Sequence, residues 1–135
     1  MVSIHFEYQG DLHCKATHSP SGAELNTDAP KDNQGRGESF SPTDLVATAL
    51  GTCMLTVMGI AARTLHIDIS GATASVEKEM TAAPPRRIQS LKVKIHVPQA
   101  LSEVDREKLK RAAHTCPVHK SLHPDVDIPI DFTWG

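Results

Sequence analysis

From Leu45 to Ala62 the chain carries no charge and is apolar on nearly every side, a run of about eighteen residues at the lower limit for a membrane span. Ser41-Pro42-Thr43-Asp44 precedes it and supplies a hydroxyl N-cap, proline at the first helical position and an acid at the third. These signals predict a helix from Ser41 to about Leu65. Thr48, Gly51, Thr52, Thr56 and Gly59 dilute its hydrophobicity and amphipathic strands flank it, so a central helix buried on all sides is expected rather than a span. A chain of 135 residues has little material to wrap such a helix alone. A dimer is therefore expected.

Around this helix the periodicity is that of strands. Val2, Ile4, Phe6 and Tyr8 fall on one face, as do Leu12, Cys14 and Ala16, with Gly10-Asp11 between them, which reads as a hairpin. A short strand at Ala23 to Thr27 leads into a breaker-rich loop, Asp28 to Gly37. After the helix, strands pass through Ala72, Ala74, Val76 and Met80, and through Leu91, Val93, Ile95 and Val97. Ser102 caps a helix striped by Val104, Leu109, Ala112, Ala113 and Cys116, and Pro117 breaks it or starts another as far as Leu122. The last strand alternates from Val126 to Trp134, with Pro129 placing it at an edge. Strands, long helix, strands, helices, strand is the order of an α+β fold, in one domain over residues 1–135.

With 14 Lys+Arg against 16 Asp+Glu, a net charge of −2 and few aromatic residues, the chain has no electrostatic footprint or stacking platform for nucleic acid. Its first residues alternate apolar and polar and show no secretory signal, so a cytoplasmic location is expected. Three cysteines in a reducing compartment are too few and too odd for a disulfide framework, and any pair among them is redox-active before it is structural. Cys14, on the apolar side of its strand, reads as a buried thiol. Cys53 lies mid-helix, nine residues beyond Asp44 and some 14 Å along the axis, out of reach of the helix dipole. It needs a nearby cation to react as a thiolate, and a buried core thiol is its bland alternative. Cys116, just before Pro117, sits where a helix start offers unpaired backbone N–H groups to a thiolate. These residues alone leave open which cysteine attacks. A rival reading takes His114, Cys116, His119 and His123 as metal ligands, a weak signal with one thiolate and an interrupting proline.

Gly37-Glu38-Ser39-Phe40-Ser41-Pro42-Thr43-Asp44-Leu45 opening a long helix, Ala49-Leu50-Gly51-Thr52-Cys53-Met54 in its middle, and Cys116-Pro117-Val118-His119-Lys120-Ser121-Leu122 near the end together resemble the OsmC/Ohr family of osmotically inducible and organic hydroperoxide resistance proteins. The resemblance covers nearly the whole chain. It implies an intertwined α+β homodimer, antiparallel sheets around long central helices, with active sites at the subunit interface and thiol-dependent reduction of organic hydroperoxides. By that resemblance Cys53 matches the peroxidatic cysteine and Cys116 the resolving one. Arg36 is the best match to the arginine that holds the thiolate, with Arg63 and Arg86 as alternatives. The family glutamate ten residues before the peroxidatic cysteine is replaced here by Thr43. Asp44, about 900° around the helix from Cys53, points to the opposite face and caps, which leaves Glu38 as a partner for Arg36.

The implied cycle needs no cofactor and no metal. The Cys53 thiolate attacks the O–O bond and becomes a sulfenic acid as an alcohol leaves, Cys116 condenses with it, and a dithiol, lipoyl-type by resemblance, reopens the disulfide. Leu50, Met54, Val57 and Met58 are expected to offer the apolar surface that favours organic peroxides. The alternative is a non-catalytic thiol redox sensor or small-ligand-binding dimer of the same fold.

Overall fold

The computed structural model describes residues 1–135 and divides into two compact units, Met1–Val46 and Ala47–Gly135. The first unit is an antiparallel sheet of β1 (Ile4–Tyr8), β2 (His13–His18) and β3 (Glu24–Asp28), in that order, followed by a 3-10 turn at Lys31–Asn33. The expected hairpin is present. Gly10, Asp11 and Leu12 all have positive φ, and the His13 N–H donates to the Gly10 carbonyl (3.0 Å), so Asp11 and Leu12 form the left-handed turn that matches strand twist. Phe6 pairs with Ala16, and Tyr8 with Cys14 and through it Thr27, which gathers Ile4, Phe6, Tyr8, Cys14, Ala16 and Leu25 on one sheet face. Nothing in this unit covers β1: all five of its residues are exposed, Phe6 at 72%.

The long helix, α1 (Pro42–Thr64), begins where the capping signals put it. The Asp44 N–H donates to Ser41 Oγ (3.1 Å) and the Ser41 N–H donates back to Asp44 Oδ2 (2.9 Å), a reciprocal capping box with Asp in place of the usual Glu. Within the single chain, burial is confined to one face. Ala47, Leu50, Gly51, Met54, Met58 and Ala62 are buried along one face, while Thr48, Thr52, Thr56, Ile60 and Arg63 stay exposed. The exposed threonines turn their hydroxyls back on the helix, Thr52 to the Thr48 carbonyl (2.7 Å) and Thr56 to that of Thr52 (2.8 Å), so this face needs no polar partner. By length and composition α1 could cross a membrane, and 33% of its apolar window is buried within the chain.

The second unit carries a sheet of β4 (Thr73–Met80), β5 (Ile88–Val97) and β6 (Ile130–Trp134), with α2 (Glu103–His114) and α3 (Pro117–Ser121) between β5 and β6. β5 has the clean alternation read from the sequence: Leu91, Val93, Ile95 and Val97 are buried and Lys92 and Lys94 exposed. Gly51 brings α1 close to β4, where an added Cβ would lie 3.3 Å from Val76 Cγ2. Arg106 and Lys110 of α2 lie over the stacked rings of Trp134 and Phe132. β6 is an edge strand, as Pro129 foretold, but it runs parallel to β5 where antiparallel sheets were expected. The cause is the helical crossover, which carries the chain back to the starting end before β6 begins. β6 also starts four residues later than the alternation suggested, with only Asp127 bridging to Ser90 before it.

Since Ser41 is buried and its hydroxyl serves the helix start, Ser41→Ala should cost about 1 kcal/mol in urea denaturation, and Ser41→Thr much less.

Candidate active site

Cys53 is half-buried at the middle of α1, and Cys116 is wholly buried as the N-cap of α3. The α2–α3 break builds this second position: Thr115 ends α2, Pro117 takes the first position of α3 with the fixed φ a helix start favours, and Cys116 is left between them. The His119 N–H points at Cys116 Sγ (3.5 Å). The fold brings the Cys53 thiol close enough to act on that of Cys116, although the two are far apart in sequence. All three cysteines are free, and Cys14 is half-buried in β2 of the other unit.

The surroundings of Cys116 oppose one another in a way the sequence did not foretell. Backbone amides of His119 and Val118 do favour a Cys116 thiolate, as a helix start should. Burial outweighs them, and together with the neighbouring Cys53 thiol it pushes the Cys116 thiol up from its ordinary value. Cys116 therefore stays protonated at neutral pH, while Cys53 keeps access to solvent.

In the first unit, the Arg36 guanidinium bonds Asp11 Oδ2 (2.9 Å), on the β1–β2 turn. Glu38, expected as its partner, acts instead through its backbone amide, which helps to lower the Asp28 carboxyl. Asp28, 3% exposed, also accepts from His13 Nδ1 (2.6 Å). His13, above all, holds Asp28 below the usual carboxylate range against the cost of burial, with the Glu38 amide and the Arg36 charge adding to it. Thr43 lies within the helix cap, its Oγ1 3.3 Å from Ser41 Oγ. Arg63 is ten residues beyond Cys53 on the same helix, about 15 Å along its axis, too far to touch that thiol. Arg86 lies in the exposed β4–β5 connection.

Two sequence readings fall. No three His, Cys, Asp or Glu side chains converge as metal ligands; His123 faces Asp125, and His114 meets His119 only ring edge to ring face (6.3 Å). Leu50, Met54 and Met58 are fully buried in the core, so of the four expected lining residues only Val57 has surface to offer a substrate. The error came from counting neighbours in sequence: Leu50, Met54 and Met58 follow the i, i+4, i+8 line that packs inward, whereas Val57 and exposed Ile60 share the side of Cys53. The sequence reading also missed Asp11, His13 and Asp28, because nothing local links a turn, a strand and the end of another strand.

An OsmC-like protein family model matches residues 35–131. The chain belongs to the OsmC-like family. This OsmC-like chain is 48% identical to a crystal structure from Psychrobacter arcticus, provisionally assigned to the osmotic stress and detoxification response, covering 98% of this chain and 96% of that one with a TM-score of 0.93. The fold recurs at 18% identity in an OsmC-like protein from Mycoplasma pneumoniae (TM-score 0.83, covering 99% and 96%). It recurs again at 18% in an organic hydroperoxide resistance protein OsmC from Legionella pneumophila (TM-score 0.77, covering 98% and 96%). No curated protein matches the chain.

Two outcomes follow from the charges. Alkylation with iodoacetamide at neutral pH should label Cys53 well before Cys116, read by peptide mass mapping; equal rates would contradict the burial of Cys116. Asp28 is ionised more readily folded than unfolded, so its contribution to stability is complete above its ordinary value of 3.8 and fades as pH falls through its lower folded value. Acid-induced unfolding should accordingly shift in Asp28→Asn, whose side chain does not titrate.

Proposed function

We propose that this OsmC-like protein is a thiol-dependent peroxidase that reduces organic hydroperoxides. Family membership and structural relatives named as organic hydroperoxide resistance proteins support a peroxidase-like role at the level of the family. The observation that carries the reading for this chain is the pair of free thiols brought close together with unequal burial.

The Cys53 thiolate attacks one oxygen of the peroxide, the O–O bond breaks, and the departing alkoxide takes a proton to leave as an alcohol. Cys53, oxidised by two electrons, is then a sulfenic acid. The Cys116 thiol, already close to Cys53, displaces hydroxide from the sulfenic sulfur; with its proton this leaves as water, and a Cys53–Cys116 disulfide remains. A dithiol, of lipoyl type, reopens that disulfide by exchange, giving up two electrons and two protons and closing into its own disulfide. The family resemblance assigns Arg36 and Glu38 to the site; within the chain Arg36 pairs with Asp11. No cofactor or metal takes part. The working form is a cytoplasmic homodimer of this single OsmC-like domain, with active sites at the interface; the uncovered apolar face of β1–β3 and the open side of α1 support it, since apolar areas of that extent call for a partner.

Purified protein given cumene hydroperoxide and a dithiol should consume peroxide over many turnovers. Cys53→Ser should lose at least about a thousandfold in rate, and Cys116→Ser should stall after one equivalent with a sulfenic acid trappable by dimedone. Wild-type protein stopping after one equivalent would instead make the pair a redox switch.

A further inference from the structure

A Cys53–Cys116 disulfide forms only if the Cys116 thiol gives up its proton, and Cys116 is wholly buried, its thiol pushed up by that burial. Solvent does not reach it to collect the proton. The groups that act on Cys116 are the Cys53 thiol and the backbone amides of His119 and Val118. Amides take no proton, and Cys53 is the electrophile in this step. The base has to come from a side chain next to these groups, and His119 is placed for it. It occupies the third position of α3, with its N–H on Cys116 Sγ (3.5 Å), and a side chain at that position can fold back over the N-cap residue, as in a capping box. Hydrogen bonds of a resting site are often long and tighten only as the reaction proceeds.

His119 is also kept in the form that accepts a proton. It is half-buried beside the end of α2, where its ring meets that of exposed His114 edge to face (6.3 Å), and His114 in turn lies against Phe132 of β6 (6.4 Å). Burial first, then the charges of His114 and Lys120, push His119 below its ordinary value of 6.5, and no acidic group is among those that act on it. Such an imidazole is neutral at pH 7 and able to act as a base.

We propose that His119 is the general base of the resolving step: its imidazole takes the Cys116 proton as the S–S bond forms and the S–O bond of the Cys53 sulfenic acid breaks, then hands it to the departing hydroxide, which leaves as water. The Cys116 sulfur supplies the electron pair of the new bond and that of the S–O bond leaves with hydroxide, so no further oxidant or reductant is needed. The proposal rests on the reading of Cys53 and Cys116 as attacking and resolving thiols.

The experiment follows one equivalent of cumene hydroperoxide in a single turnover, from about pH 5 to 8, in wild type, His119→Gln and His114→Ala. Peroxide loss reports attack by Cys53, and the fall in dimedone-trappable sulfenic acid as disulfide appears reports resolution. Wild-type resolution should rise with pH through the titration of His119, below 6.5, and then level off. His119→Gln keeps the amide on Sγ, yet should slow resolution about a hundredfold relative to attack, and its rate should go on rising to higher pH, following the Cys116 thiol itself. His114→Ala removes a like charge from an exposed position, so its acid limb should move up toward 6.5. A wild-type rate of resolution in His119→Gln, or a wild-type acid limb, overturns the proposal while leaving the thiol pair as read. Should His119→Gln fail to fold, the His114→Ala profile decides: a limb that moves up supports the proposal, and an unmoved one overturns it. Wild-type protein that consumes no peroxide, or forms sulfenic acid but no disulfide, brings down the reading of the thiol pair and the proposal with it.

Discussion

The packing of one face of α1 is the constraint on which the rest depends. A helix of this length without a charge from Leu45 to Ala62 cannot stand alone in water, so Leu50, Met54 and Met58 are buried, each contributing roughly 1.5–3 kcal/mol of hydrophobic stabilisation. That burial sets the rotation of the helix about its axis. Once the i, i+4, i+8 line faces inward, Cys53 is carried to the flank, half-exposed, and the threonine side is turned outward. The capping box at Ser41 and Asp44 fixes where the helix begins.

The two cysteines owe their difference to the elements that hold them. Cys116 is a cap between two helices and has no exposed surface, so desolvation dominates the amides that point at it. Cys53 projects from a regular helix and is only half-buried. A helix start is often read as a place where a thiol becomes reactive. Here the same amides are present and burial outweighs them, so the more enclosed thiol stays protonated.

Much of the fold was legible because its signals are local. The alternation along β5, the cap of α1, the serine cap of α2, where the Asp105 N–H donates to Ser102 Oγ, and the edge position of β6 all follow from patterns a few residues long. The parallel pairing of β5 with β6 was not legible, since strand direction is set by how a connection of two helices returns the chain. The same applies to the site. Cys53 and Cys116 could be singled out one at a time, but Asp28, His13 and Asp11 carry no mark in sequence, because each gains its meaning from a partner on another strand or turn.

The sequence by itself determined the α+β order of elements, the start of the long helix and the two cysteines worth attention, since periodicity, capping and thiol chemistry are written in neighbouring residues. Only the tertiary structure decided which face of that helix is buried, that Cys116 stays protonated beside Cys53, and that Arg36 pairs with Asp11 while Glu38 serves Asp28. Burial and hydrogen bonding depend on which groups the folded chain brings together, and a sequence pattern does not record that.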